Sequence, residues 1–460
     1  MRTRIFRRIF QPLVLIMILP VMQTSSAAMR VNLDQAIELA YGYDARIDEK
    51  KAFVRKAEAV LAEARGAEGF QYGATSFLAI TRGLDGGFYE GGAESCSDNC
   101  KPRDDNYNLN NGLSLWAGLT FSIIKPLMTF GRLENYQIAA KENILVKQQE
   151  VILQRDSIRL DVVKAYYGYL TARDSRFLLE DTRKRLQGAL QTANNWIEQG
   201  KGNVSLSDRY ALESGIGLIG SFLAEASGVE AIALEGLKLL TGMQEETLEV
   251  EDKRLQALGL PEQSVEEWIE HALANRVEFR QVEAGLSARR ALVEVQRAGK
   301  KPVVFAGVAG SLTYSPGRDR LDNPHIYDPF NNVAISPLVG MRWQFGDETQ
   351  SALVSQAQAD LDALVHKATF AQRGIPFQVR EQYLSVQSRY KSIQAMKSSA
   401  KAARRWMISS YSDFEAGLEE PKKILDAMRV YVFAYADYLK VVNDYNNHVF
   451  KLKSVSGDYE

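Results

Sequence analysis

Between residues 113 and 123 the apolar side chains fall on every second position: Leu113, Leu115, Ala117, Leu119, Phe121 and Ile123, with Ser114, Gly118, Thr120 and Ser122 filling most of the gaps. A period of two describes a strand with one apolar and one polar face. After Pro126 and Gly131 the alternation gives way to a helical pattern over 132–199. A second alternating run, Val333, Ile335, Val339, Met341, Trp343 and Phe345, leads into a second helical stretch over 347–414, interrupted only by Pro376. At ~1.5 Å per residue each helix would reach roughly 100 Å. Val379, Tyr383, Val386, Tyr390 and Ile393 step alternately by four and three, and Ile144, Val151, Ile158 and Ala165 recur every seven. Both are seams of coiled-coil packing.

These patterns occur twice. Leu33 to Ile47 lies over Val265 to Phe279 at an offset of 232, and later landmarks match at 215: Phe130-Gly131 with Phe345-Gly346, Trp196…Gly202 with Tyr411…Gly417, and Gly242 with Gly457. Ordered matches at constant offset predict an internal twofold repeat. The first unit spans 29–243, a linker 244–263, and the second unit 264–460. Each unit is expected to run helix (34–68; 265–299), two strands (70–82 and 112–124; 303–314 and 332–345), long helix, tip turn (200–208; 416–426) and returning helix.

Ahead of the repeat, Arg2, Arg4, Arg7 and Arg8 precede a short apolar core, Pro12 to Met22, and small residues from Ser25 to Ala28. Residues 1–28 read as a cleaved secretory signal peptide. Its loss takes the formal charge from −1 to −5. Neither value, nor any basic stripe, suggests a nucleic-acid partner. No later stretch approaches 18 uninterrupted apolar residues, so an exported chain that crosses a membrane is expected to do so with strands. Four strands cannot close a barrel, which needs about eight, and open sheet edges are not tolerated in lipid. Several chains must pool their strands. The fold class is α+β, with long coiled-coil helices extending the wall of a shared barrel.

The ordered repeat, with "LDQAIELA" near its start, "PLMTFGR" at the strand-to-helix junction and an aromatic-x5-Gly before each turn, resembles the TolC-type outer-membrane efflux proteins over essentially the whole mature chain. The resemblance implies a homotrimer with a twelve-stranded barrel in outer-membrane lipid and a periplasmic helical tunnel. It also implies a gated exit duct for efflux or type I secretion, working with a periplasmic adaptor and an inner-membrane transporter of RND or ABC type. Acidic rings at the periplasmic tip of such proteins make Asp208 and Asp426 pore or gate candidates. The alternative is that both acids serve the first turns of the returning helices. Lys423, which could pair with Glu419, puts the sign of the gate in question. Gly202 and Gly417 mark the turns where an adaptor would dock.

Cys96 and Cys100 allow a local disulfide or two free thiols. Trp116 and Trp343 are candidates for an aromatic girdle or for plain sheet packing. Tyr166, Tyr167 and Tyr169 read as packing residues. Gly215 to Gly220 spells GxGxxG but follows a helical pattern, which a dinucleotide site does not. His271, His325, His366 and His448 are scattered. No enzyme, metal or cofactor is expected. The rival to the duct is a trimeric outer-membrane-anchored surface or structural protein whose helices form a filled stalk.

Overall fold

The computed structural model describes residues 29–85, 108–201, 204–243, 248–320, 327–344, 346 and 348–459. The expected signal peptide and both cysteines, Cys96 and Cys100, lie outside them. In chain order the first half contains β1 (Met29–Val31), α1 (Leu33–Tyr43), α2 (Ala45–Gly66), β2 (Gln71–Asp85), β3 (Asn108–Met128), α3 (Arg132–Gln199) and α4 (Leu206–Thr241). The second contains β4 (Leu248–Val250), α5 (Val265–Asn275), α6 (Val277–Ala298), β5 (Val303–Tyr314), β6 (Asn332–Arg342), α7 (Glu348–Glu415) and α8 (Pro421–Ser456). Helices of 11, 22, 68 and 36 residues follow one another in each half.

Each half's opening helix is broken where one continuous helix was expected. Asp44 is extended (ψ 111°) and caps α2, its carboxylate accepting from the Arg46 backbone N–H at 2.9 Å. Arg276 holds the corresponding break between α5 and α6 (ψ 126°). The flanking pairs are charge-exchanged, Asp44 with Arg46 and Arg276 with Glu278. Nothing in hydrophobic periodicity marks such a break, because the apolar pattern continues through it.

The sheet is antiparallel in the order β2-β3-β5-β6. Its register sets apolar residues in rows across the strands, such as Leu119, Leu312 and Val333, or Ile123 and Val308. Side chains alternate along a strand, so the same face carries Leu78, Ile80, Leu115, Val339 and Met341, all exposed. The opposite face carries Gly73, Thr75, Thr120, Ser122, Ser311 and Ser336. Strand β3 runs past its expected end through Pro126, which the ladder accommodates with an irregularity between Pro126 and Met128. The other interior proline, Pro337, lies on β6, the outer strand of the sheet within one chain, opposite Val308.

Two apolar clusters hold the helices together. The upper one joins α1, α3, α5, α7 and α8 to the short parallel pair β1 and β4, with Val379, Val386 and Ile393 of the predicted seam all buried. The lower one joins α3, α4, α7 and α8 through Leu186, Leu212, Met407 and Ile424. Tyr166 is buried and donates to Asp252 at 2.8 Å, and Asp174 accepts from the Leu255 backbone at 2.9 Å. The segment between the halves is thereby strapped along α3. The chain's last residues are tied down as well: Arg159, almost wholly buried, donates to Asp156 at 2.7 Å and to the Asp458 carbonyl at 2.6 Å.

Among the described residues one helix, α4, is long and apolar enough by length and composition to cross a membrane. Its run is broken by Glu225 and Glu230, the latter paired with Arg176 of α3 at 2.5 Å. One face buries Leu212, Ile219 and Leu223 while Leu218, Val229 and Ile232 stay exposed. The GxGxxG glycines lie inside this helix, and a Cβ on Gly215 would come within 2.8 Å of Leu425 on α8. Close helix approach accounts for that glycine.

Candidate functional site: the sheet and the helical tip

At one end stands the sheet. In each of its three strand pairs a phenylalanine faces a glycine: Phe77 opposite Gly118, Phe121 opposite Gly310, Phe305 opposite Gly340. A Cβ on Gly118 would come within 2.2 Å of the Phe77 ring. Trp116 lies on the small and polar face and packs between Phe77 and Phe330, at 4.6 and 4.9 Å between ring centroids. It is a sheet-packing residue, not part of a girdle on the apolar face. Trp343 continues the parity of the apolar face beyond β6, is half exposed and donates from Nε1 to the Lys300 carbonyl at 3.1 Å. An indole with one wet and one apolar side suits a membrane interface.

At the other end the two helical hairpins turn. Gly200 (φ 60°) ends α3 and Gly417 (φ 75°) follows α7, each in the left-handed region that glycine tolerates. Gly200 is thus a turn glycine before α4; Gly202, aligned with Gly417 by the repeat, lies outside the described residues. The hairpins meet through Trp196 and Phe414, ring centroids 5.0 Å apart. Phe414 is fully buried, while Leu206, Tyr210 and Leu418 project into the open around it.

The candidate charges are engaged locally. Asp208 is the third residue of α4, where its carboxylate accepts from the Ser205 backbone N–H at 2.9 Å and the Ser205 hydroxyl at 2.6 Å. Ser205 returns a bond to the Asp208 N–H at 3.3 Å, completing a capping box. Asp426 lies beyond the first turn of α8 and meets Arg429 at 3.4 Å. The first turn of α8 holds no acid; Pro421 opens it instead. Glu419 and Lys423 pair at 2.6 Å, and that contact raises the ammonium's pKa. Asp208 thus fits the helix-terminus alternative, whereas Asp426 does not. Among the described residues the tip thus combines exposed apolar side chains with charges that are paired or capped locally.

Residues 268–458 match the family model of outer membrane efflux proteins. A search of curated proteins finds no match to the sequence. Among solved structures the chain is similar to the outer-membrane channel OprN (TM-score 0.72, 16% identity, 93% of this chain and 90% of that one). It is similar also to the CmeC outer membrane channel of Campylobacter jejuni (0.73, 12%, 93% and 85%). The open-state MtrE outer membrane channel of Neisseria gonorrhoeae is a third (0.69, 16%, 93% and 89%). Residues 268–458 are thus similar to outer membrane efflux proteins, and nearly the whole chain shares the fold of solved outer-membrane channels.

Proposed function

We propose that three copies of this chain form the outer-membrane exit duct of a tripartite efflux or type I secretion system. One observation carries the reading: a four-stranded sheet with an apolar face and two unpaired outer strands is joined to helices of 68 residues. Lipid does not tolerate open edges, so β6 of one copy pairs with β2 of the next, and three copies make a twelve-stranded barrel. The equal helix lengths in the two halves support an internal duplication, and the duplicated hairpins become a periplasmic tunnel some 100 Å long. Exposed apolar side chains on α4 (Leu218, Val229, Ile232) and α7 (Phe377, Leu384) fit contacts between copies.

In this reading residues 1–28 direct export and are removed. The tip turns around Gly202 and Gly417 receive a periplasmic adaptor that couples the duct to an inner-membrane pump. Asp208 and Asp426 bias the mouth towards cations, with the Glu419–Lys423 pair balanced beside them. The test is the conductance and selectivity of the purified protein in a planar bilayer, with its mass measured in parallel. A trimer with small, cation-selective conductance that grows on Asp208→Ala or Asp426→Ala supports the duct. A trimer that conducts nothing, even without both acids, overturns it in favour of a filled stalk.

A further inference from the structure

A groove of about 700 Å³ runs between α3 and α7 with α6 as its floor. That volume falls within the ~300–1,000 Å³ of small-molecule sites. Gly285 lies on its floor. Gly285 of α6 faces Leu364 of α7, and a Cβ there would come within 3.2 Å of the leucine. Its walls are apolar along most of their length, with Ala139 from α3 and Leu292 from α6 set against Leu364. Phe370 stands at the rim, 77% exposed although its ring borders an apolar space.

Three cations line the groove, and they are not equivalent. Arg276 is held by Glu278 and by Gln378 at 2.9 Å, and Arg289 by Asp360 at 2.8 Å. Lys367 has no acid partner among the described residues, and it projects from the same stretch of α7 as Leu364 and Phe370. One uncompensated positive charge at the side of an apolar trough is the complement of a molecule with a long apolar body and a single acidic head. The trough lies within one chain's helical layer, with α6 separating α3 from α7, so it is not the free side along which a second copy would pack.

We propose that this groove binds a free, singly charged anionic amphiphile of the long-chain carboxylate class, its body along α6 and its head on Lys367. The site requires the fold alone. A channel could conduct without it, so this inference and the duct reading fail separately.

The experiment uses the full mature chain in lipid nanodiscs, titrated with dansyl-labelled undecanoate and with its uncharged methyl ester, empty nanodiscs serving as the blank. Saturable binding of the acid is expected, with the ester at least about tenfold weaker, as loss of a charge-assisted contact implies. Lys367→Glu should weaken the acid by at least as much and leave the ester unchanged. Gly285→Phe should fill the trough and abolish binding of both; should that variant not fold, Lys367→Glu carries the test. Equal affinity for acid and ester, unchanged binding in Lys367→Glu, or no saturable binding overturns the proposal.

Discussion

Phe305 on β5 lies across the sheet from Gly340 on β6, its ring tip 2.5 Å from where a Cβ would be. The aromatic ring covers a backbone that has no side chain of its own, as it does at Phe77–Gly118 and Phe121–Gly310. Gly307 is constrained differently, since its Cβ would meet the Ile123 carbonyl oxygen, a backbone atom, at 2.1 Å. A ring can rotate away and a backbone cannot. Gly307→Ala should therefore reduce the fraction of assembled, heat-resistant protein more than Gly340→Ala does, read from gel mobility with and without heating. Equal losses would mean that the ladder yields as easily as a side chain.

The left-handed glycines allow a second comparison. Gly242 and Gly457 cap α4 and α8 at φ 76° and 84°. Alanine at either costs about 1–2 kcal/mol in backbone strain. Gly242 faces the Tyr43 ring, whereas a Cβ on Gly457 would come within 2.9 Å of the Arg276 backbone nitrogen. Gly457→Ala should lower the urea midpoint further than Gly242→Ala.

Arg159 and Asp156 form a buried pair, their side chains 2% and 8% exposed. Replacing Arg159 by leucine leaves Asp156 buried without its counter-charge, which should cost about 3–5 kcal/mol. Adding Asp156→Leu should recover much of that loss, because breaking a buried pair is costlier than removing both members. Unfolding curves of the two variants check this; a double variant no better than the single one would refute it.

The capping box separates structure from charge at the tip. Ser205→Ala removes the cap and should cost about 1 kcal/mol of stability while leaving ion selectivity alone. Asp208→Asn keeps an acceptor beside Ser205 but removes the charge, and should shift selectivity away from cations. Identical selectivity in both variants would confine Asp208 to its capping role.

His448 contacts Gln382 at 2.8 Å. Burial, with Arg389 and Lys451 nearby, lowers its pKa from the ordinary 6.5, against Asp444 and Glu381. The fold thus disfavours the imidazolium. Its contribution is complete above the ordinary value of 6.5 and declines as pH falls from there through the lower folded value, because the unfolded chain takes up the proton first. His448→Gln should flatten the decline in urea midpoint on mild acidification.

Much of the architecture is legible in the sequence, because strand alternation and heptad seams each bury or expose a whole face. Val379, Val386 and Ile393 are buried as their spacing requires. The breaks at Asp44 and Arg276 are not legible, since a polar residue in an otherwise helical pattern carries no sign that its ψ is extended. Alternation does put Trp116 on the face opposite Leu115, but its contact with Phe330, which arrives from elsewhere in the chain, is not legible. At the tip, the repeat alignment points to Gly202, and that the glycine capping α3 is Gly200 depends on a φ of 60° that no sequence pattern marks. The groove beneath Lys367 is invisible for a related reason: three helices distant in sequence build it, and no motif spans them.

In the proposed ring, the outer strands of the sheet, β2 and β6, would have a genetic consequence. A copy damaged only along β6 still offers a sound β2, so it would join healthy copies and leave a gap in the wall they share. One poor allele would thus spoil rings in which most subunits are normal. A copy damaged on both outer strands would be excluded from rings and do little harm. Inhibition by a co-expressed variant should therefore be stronger with one edge broken than with two.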